Sequence, residues 1–216
     1  MELLTHSAAG ISKAEAMAGP VTRRGRRRVI ARLVPAWLAL LLWLAVFPHA
    51  RELHAQTQDS RLEYQVKAAF LLNFTKFVEW PAVAFAAPDA PITICVLGQD
   101  PFGTILDRTI EGESVNNHGV RARRLLSDGD LRSCHILFIS QSEQERFAQI
   151  VSRLRGSSVL TVSELSGFAN AGGMIEFLIE EGKARFYINA ATAEAAGLKL
   201  SSRLLRVAKE IKDSRG

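Results

Sequence analysis

The chain has 216 residues, a formal net charge of +5 and 48% hydrophobic residues, enough to build a core and too apolar for low-complexity disorder. The charge is uneven. Residues 1–55 hold eight Lys/Arg against three acids, while residues 56–216 hold 19 of each, so the body is neutral and has no charge excess to drive nucleic-acid binding.

Residues 1–55 read as an export signal. The basic stretch Arg23-Arg24-Gly25-Arg26-Arg27-Arg28 precedes an apolar run from Leu33 to Phe47, then Pro48 and the small residues Ala50 and Ala55. Cleavage after Ala55 is expected, with an uncleaved membrane anchor as the alternative. Residues 56–216 then form a single exported domain in the periplasm. Export bears on Cys95 and Cys134, the two cysteines of the chain: an even count in an oxidising compartment favours a disulfide, with buried free thiols as the alternative. The body has two histidines, His118 and His135, too few for a zinc site, and no cofactor is expected.

In chain order, residues 60–79 read as a helix with Val66, Phe70, Phe74 and Phe77 on an apolar stripe, stopped by Trp80-Pro81. The stripe packs a core or, in part, meets a partner. An Ala/Pro-rich connector follows over 82–90. Ile92 to Gly98 reads as a strand buried on both faces. Asp100 is expected to cap a helix over 101–110, and Arg121, Arg123 and Arg124 mark 120–125 as an edge strand. Strands at 135–140 and 158–162 flank a helix at 143–155 capped by Ser142. A hairpin at 174–189 turns at Glu181-Gly182, and helices at 190–196 and 201–211 close the chain. The fold class is α/β: a layered sandwich with a largely parallel central sheet, a closing antiparallel hairpin and C-terminal helices.

Catalytic chemistry is not legible. Gly98-Gln99-Asp100-Pro101-Phe102-Gly103 follows a strand, but Pro101 lacks an N–H and Phe102 is bulky, so it makes a poor phosphate cradle. Cys134 and His135 are neighbours on a strand, which points their side chains apart. No nucleophile–base pair or metal cluster emerges, and the expectation is a non-enzyme.

Several blocks together resemble the YfiR-like family of periplasmic proteins: Tyr64-Gln65-Val66-Lys67-Ala68-Ala69-Phe70-Leu71, Phe77-Val78-Glu79-Trp80-Pro81, Ile94-Cys95-Val96-Leu97-Gly98, Cys134-His135-Ile136-Leu137-Phe138-Ile139, Gly172-Gly173-Met174-Ile175 and Gly197-Leu198-Lys199-Leu200-Ser201-Ser202-Arg203. The resemblance spans about residues 62–211. It implies a regulator that restrains an inner-membrane diguanylate cyclase through that enzyme's periplasmic domain, relieved by an OmpA-like outer-membrane lipoprotein. It also implies homodimers and redox-sensitive disulfides. Glu176 stands where the family pattern has Asn, and Tyr187 where it has an acid. The partner or dimer surface is accordingly expected at Phe70, Phe74, Phe77, Trp80, Glu176 and Tyr187. The alternative function is a small-ligand sensor feeding a membrane kinase, with a pocket at Gly98 and Asp100 or beneath Gly172 and Gly173.

Overall fold

A computed structural model describes residues 58–126 and 129–212. The expected leader and its cleavage site lie outside the described residues. The described residues all belong to one compact unit.

The chain is helical over residues 58–77 (α1). It then runs through β1 (Val78–Glu79), a 3-10 turn at Ala82–Ala84, β2 (Ile92–Leu97), α2 (Thr104–Ile110), β3 (Ser114–Val115) and β4 (His118–Leu125). Next come β5 (Ile136–Ile139), α3 (Phe147–Arg153), β6 (Leu160–Ser163), β7 (Ile175–Glu180) and β8 (Lys183–Asn189). The chain closes with α4 (Ala190–Ala195), β9 (Lys199–Leu200), α5 (Ser202–Val207) and β10 (Glu210–Lys212).

The main sheet has the order β10-β8-β7-β6-β5-β2-β4-β3. β4, β2, β5, β6 and β7 run parallel, β8 turns back against β7, and β10 lies parallel to β8. β1 and β9 form a separate antiparallel pair. The expected α/β class, parallel centre and closing hairpin are present.

The parallel strands are apolar on both faces because helices cover both. β2, β5 and β6 are buried at every position. One face, through Ile94, Val96, Ile136, Phe138 and Val162, packs with residues of α1, α2, α4 and α5. The other, through Cys95, Leu97, Leu137 and Ile139, packs with Ile150, Val151 and Leu154 of the α3 segment and with Phe168. The hairpin turns at Glu181 (φ +51°) and Gly182 (φ +71°), the two left-handed residues that match the twist of a two-residue turn. β4 is the penultimate strand, but its two-residue neighbour β3 covers only His118 and Gly119, so the arginine-bearing stretch forms the edge.

Several expected boundaries move, each for a reason of backbone pairing. The first helix stops at residue 77 because Val78 and Glu79 pair with Leu200 and Lys199. The last helix ends at Val207, not residue 211: the open edge of β8 takes Glu210–Lys212 as a strand, which satisfies backbone groups on both. Asp100 does not cap a helix. Its Oδ1 accepts the Phe102 N–H (2.8 Å) and its Oδ2 accepts Arg124 Nε (2.9 Å), and α2 begins after Gly103, at φ +52°. Ser142 does not cap α3 either, since its Oγ accepts the Gln99 N–H across the strand ends (2.9 Å). The expected cap at Ser201 is present, its Oγ accepting the Leu204 N–H (3.2 Å).

Candidate functional site

The phenylalanine stripe of α1 is core. Phe74 is fully buried and Phe70 half-buried, and their rings meet Phe177 and Phe186 of the hairpin at centroid distances of 5.2–6.0 Å. Phe77 and Trp80 are half-buried against the same cluster. Phe74 is therefore unavailable to a partner. What α1 turns outward is the row Leu62, Val66 and Ala69, of which Leu62 is 53% and Val66 45% exposed.

Glu176 and Tyr187 sit opposite one another on β7 and β8, one residue out of phase with the Phe177–Phe186 pair. Alternation along the strands puts them on the sheet face away from α1. The six residues expected to share one surface are thus divided between two faces. Glu176 is buried, and its carboxylate accepts the N–H groups of Gly167 (3.1 Å) and Ala169 (2.9 Å), which ties down the loop after β6. The Asn189 amide donates to Ala169 O of the same loop (3.1 Å). The Lys209 ammonium stands 5.7 Å from the Tyr187 ring centroid.

At the two expected pocket positions the protein's own side chains approach the glycines Gly98 and Gly173 closely. Strand connections leave β2 toward β4 and leave β5 toward β6, so the order reverses between the carboxyl ends of β2 and β5, where α/β sheets commonly bind ligands. Here a Cβ on Gly98 would fall 2.3 Å from Ser142 Oγ and 2.6 Å from both Glu143 Oε1 and Ser140 Oγ. The two hydroxyls are 2.7 Å apart. At the other position, a Cβ on Gly173 would fall 2.2 Å from the buried Phe168 ring. Gly172, at φ +94°, has Val151 3.6 Å from where its Cβ would be.

Cys95 and Cys134 form a disulfide, with Cα atoms 5.9 Å apart. It joins β2 to the residues just ahead of β5, and both cysteines are buried.

Two polar constellations were not legible in the sequence. Lys67, 2% exposed, pairs with Glu164 and Glu63, and the Tyr64 hydroxyl donates to Glu164 (3.0 Å). This network pins the start of α1 to the carboxyl end of β6. Burial, followed by the Glu164 carboxylate, raises the Tyr64 phenol above its ordinary value. The only signal was a lysine inside an apolar helical stripe. The second constellation surrounds His135, whose Nδ1 accepts the Thr93 N–H (3.1 Å) while the Trp80 indole donates to its carbonyl (3.2 Å).

Among the described residues, no group of three or more His, Cys, Asp or Glu could hold a metal ion, and no helix is long and apolar enough to cross a membrane.

The profile of a family described as YfiR/HmsC-like matches residues 64–209. No curated protein matches the chain. Among solved structures, the ABC domain from Streptococcus pneumonia in complex with L-Trp is similar at 12% identity and a TM-score of 0.42, over 56% of this chain and 55% of that one.

Proposed function

The chain belongs to the YfiR/HmsC-like family, and on that premise we propose that it is a non-enzymatic periplasmic regulator of cyclic-di-GMP signalling. It restrains an inner-membrane diguanylate cyclase by binding that enzyme's periplasmic domain, and an OmpA-like outer-membrane lipoprotein relieves the restraint by sequestering it. The family match carries this reading, because it runs through the described body from α1 to the end of α5.

The contact surface proposed is the outward row of α1, used by a second copy or by the cyclase. Leu62, Val66 and Ala69 follow one another at helical spacing on one exposed face, and contiguous exposed apolar surface is a feature of interaction sites. This row replaces Phe74 as the residue set to probe, since Phe74 holds the core.

The test is a pull-down from solubilised inner membranes with the exported protein as bait, paired with cyclic-di-GMP measurement in cells lacking it. Recovery of a diguanylate cyclase and a rise in cyclic-di-GMP are the expected results. Val66→Glu, on the exposed face, should weaken recovery while leaving the melting temperature unchanged. Recovery of a sensor kinase with unchanged cyclic-di-GMP would favour the small-ligand reading.

A further inference from the structure

Four segments converge on one imidazole. His135 stands at the start of β5 and is 5% exposed. From β2, the Thr93 N–H donates to Nδ1, so the neutral ring carries its proton on Nε2. That Nε2 is buried and has no hydrogen-bond partner. From the exit of α1, the Trp80 ring meets the imidazole edge-on at 5.8 Å and its indole donates to the His135 carbonyl. From the connector, the Phe85 ring lies 4.6 Å away, centroid to centroid. Phe85 in turn stacks at 4.2 Å on His118 of β4, whose Nδ1 is 2.7 Å from Ala90 O.

The connector between Trp80 and Pro91 has backbone bonds that only close its own turns, at Ala84, Phe85 and Ala90. Its contacts with the sheet include the Trp80 indole, the Phe85 ring and the Ala90 carbonyl, which reach His135 or His118.

We propose that this joint is an acid-sensitive latch, in which a proton on His135 Nδ1 releases connector 80–91 from the amino ends of β2, β4 and β5 while the sheet stays folded. The chemistry is local. A proton on Nδ1 turns an acceptor into a donor that faces the Thr93 N–H, so that bond breaks. The resulting cation is buried, and no carboxylate stands among its contacts. The groups that meet it are Trp80 from the α1 exit, Phe85 from the connector and Thr93 from β2. The charged or titratable groups acting on it are His118 and Arg121, both from β4. Arg121 is itself fixed by donating Nε to Thr93 Oγ1 (2.9 Å). The proton is accommodated only when the ring swings out to water, and the Trp80 and Phe85 rings lose their contacts with the imidazole when it does.

Burial first, then His118 and Arg121, hold His135 down at about 4 from its ordinary 6.5. With the opened ring titrating at its ordinary value, a fall from pH 7 to pH 4 favours opening by roughly 10²-fold. The effect begins as pH drops through 6.5 and is complete near 4. A periplasmic protein meets such pH values directly, because small ions and protons equilibrate across an outer membrane carrying open porins.

The test uses NMR on the uniformly 15N-labelled full chain. Trp80→Phe identifies the Trp80 indole signal, and the Thr93 amide is followed beside it from pH 7 to pH 4. Both signals are expected to move together with a midpoint below 6.5, while far-UV circular dichroism stays constant. His135→Asn keeps an acceptor for the Thr93 N–H but cannot take the proton, and it should hold both signals still. Three results would each overturn the latch: the same transition in His135→Asn, a His135 ring that titrates without moving Trp80 and Thr93, or loss of secondary structure with the same midpoint. Should His135→Asn not fold, the last two readings on the natural chain decide.

Discussion

Removing the Cys95–Cys134 bond is the perturbation whose size follows most directly from the fold. The cysteines are 39 residues apart in sequence. On the chain-entropy model, freeing a loop of that length returns about 13 cal/mol/K to the unfolded chain, or about 4 kcal/mol at 25 °C. Both sulfur atoms are buried, so a serine would add an unpaired hydroxyl and confuse the result; Cys95→Ala/Cys134→Ala is the cleaner variant. Each alanine also deletes a sulfur from a packed site, adding on the order of 1 kcal/mol. The expected loss for the double variant is therefore about 6 kcal/mol, or roughly 12–24 °C in melting temperature for a domain of this size. Guanidinium unfolding of the oxidised protein, the reduced protein and the double variant separates the two contributions. Reduction should account for most of the loss, and the oxidised protein should show no free thiol when denatured. A reduced protein within about 1 kcal/mol of the oxidised one would refute the argument, because loop closure would then contribute little. Partner binding measured on the same samples asks a separate question: an unchanged affinity after reduction would make the bond a structural staple and not a redox switch.

Three further outcomes are expected. Lys67→Met leaves the buried Glu164 carboxylate without its cation and should cost about 3–5 kcal/mol, whereas adding Glu164→Gln should restore part of it; additive losses in denaturant titrations would show that the pair is not coupled. Gly173→Ala drives a methyl into the buried Phe168 ring and should cost about 1–3 kcal/mol, while Gly119→Ala, which meets nothing within 4 Å, should change the melting temperature little. His135 has a native pKa depressed to about 4, so its contribution to stability is intact above pH 6.5 and is lost as pH falls from 6.5 toward 4, by up to about 3 kcal/mol. Comparing stability against pH for the natural chain and His135→Asn isolates that contribution from the carboxylates, and superimposable curves would count against it.

The parts of this fold that could be read from sequence are those in which one local pattern has one structural solution. Ile92–Leu97 and Ile136–Ile139 are apolar at nearly every position, and only a strand covered on both faces hides such a run within four to six residues. Glu181-Gly182 between two alternating runs admits little but a tight hairpin. The misread ends fail for the opposite reason. Glu210–Lys212 continues a helical period, and nothing within it announces that β8 offers an open edge 23 residues earlier in sequence.

Site residues follow the same rule more harshly. The helical spacing of Phe70, Phe74 and Phe77 shows that they share a face but not which face the fold covers, and the core claims Phe74 because the hairpin presents Phe177 and Phe186 to it. With Phe74 consumed, what α1 leaves exposed is the flank of the stripe, Leu62, Val66 and Ala69, and Val66, expected within the stripe, lies on that exposed row. Lys67 was visible as a charge within the stripe, yet its meaning depends on Glu164, 97 residues away, which has no local reason to be buried. His135 reads in sequence as a neighbour of Cys134, and its chemistry comes instead from a backbone N–H on β2 and the rings of Trp80 and Phe85. Polar groups whose role depends on partners distant in sequence carry no periodic signature. In this protein they add to the apolar contacts of α1 and the connector at two places, Lys67 with Glu164 and His135 with Trp80 and Phe85.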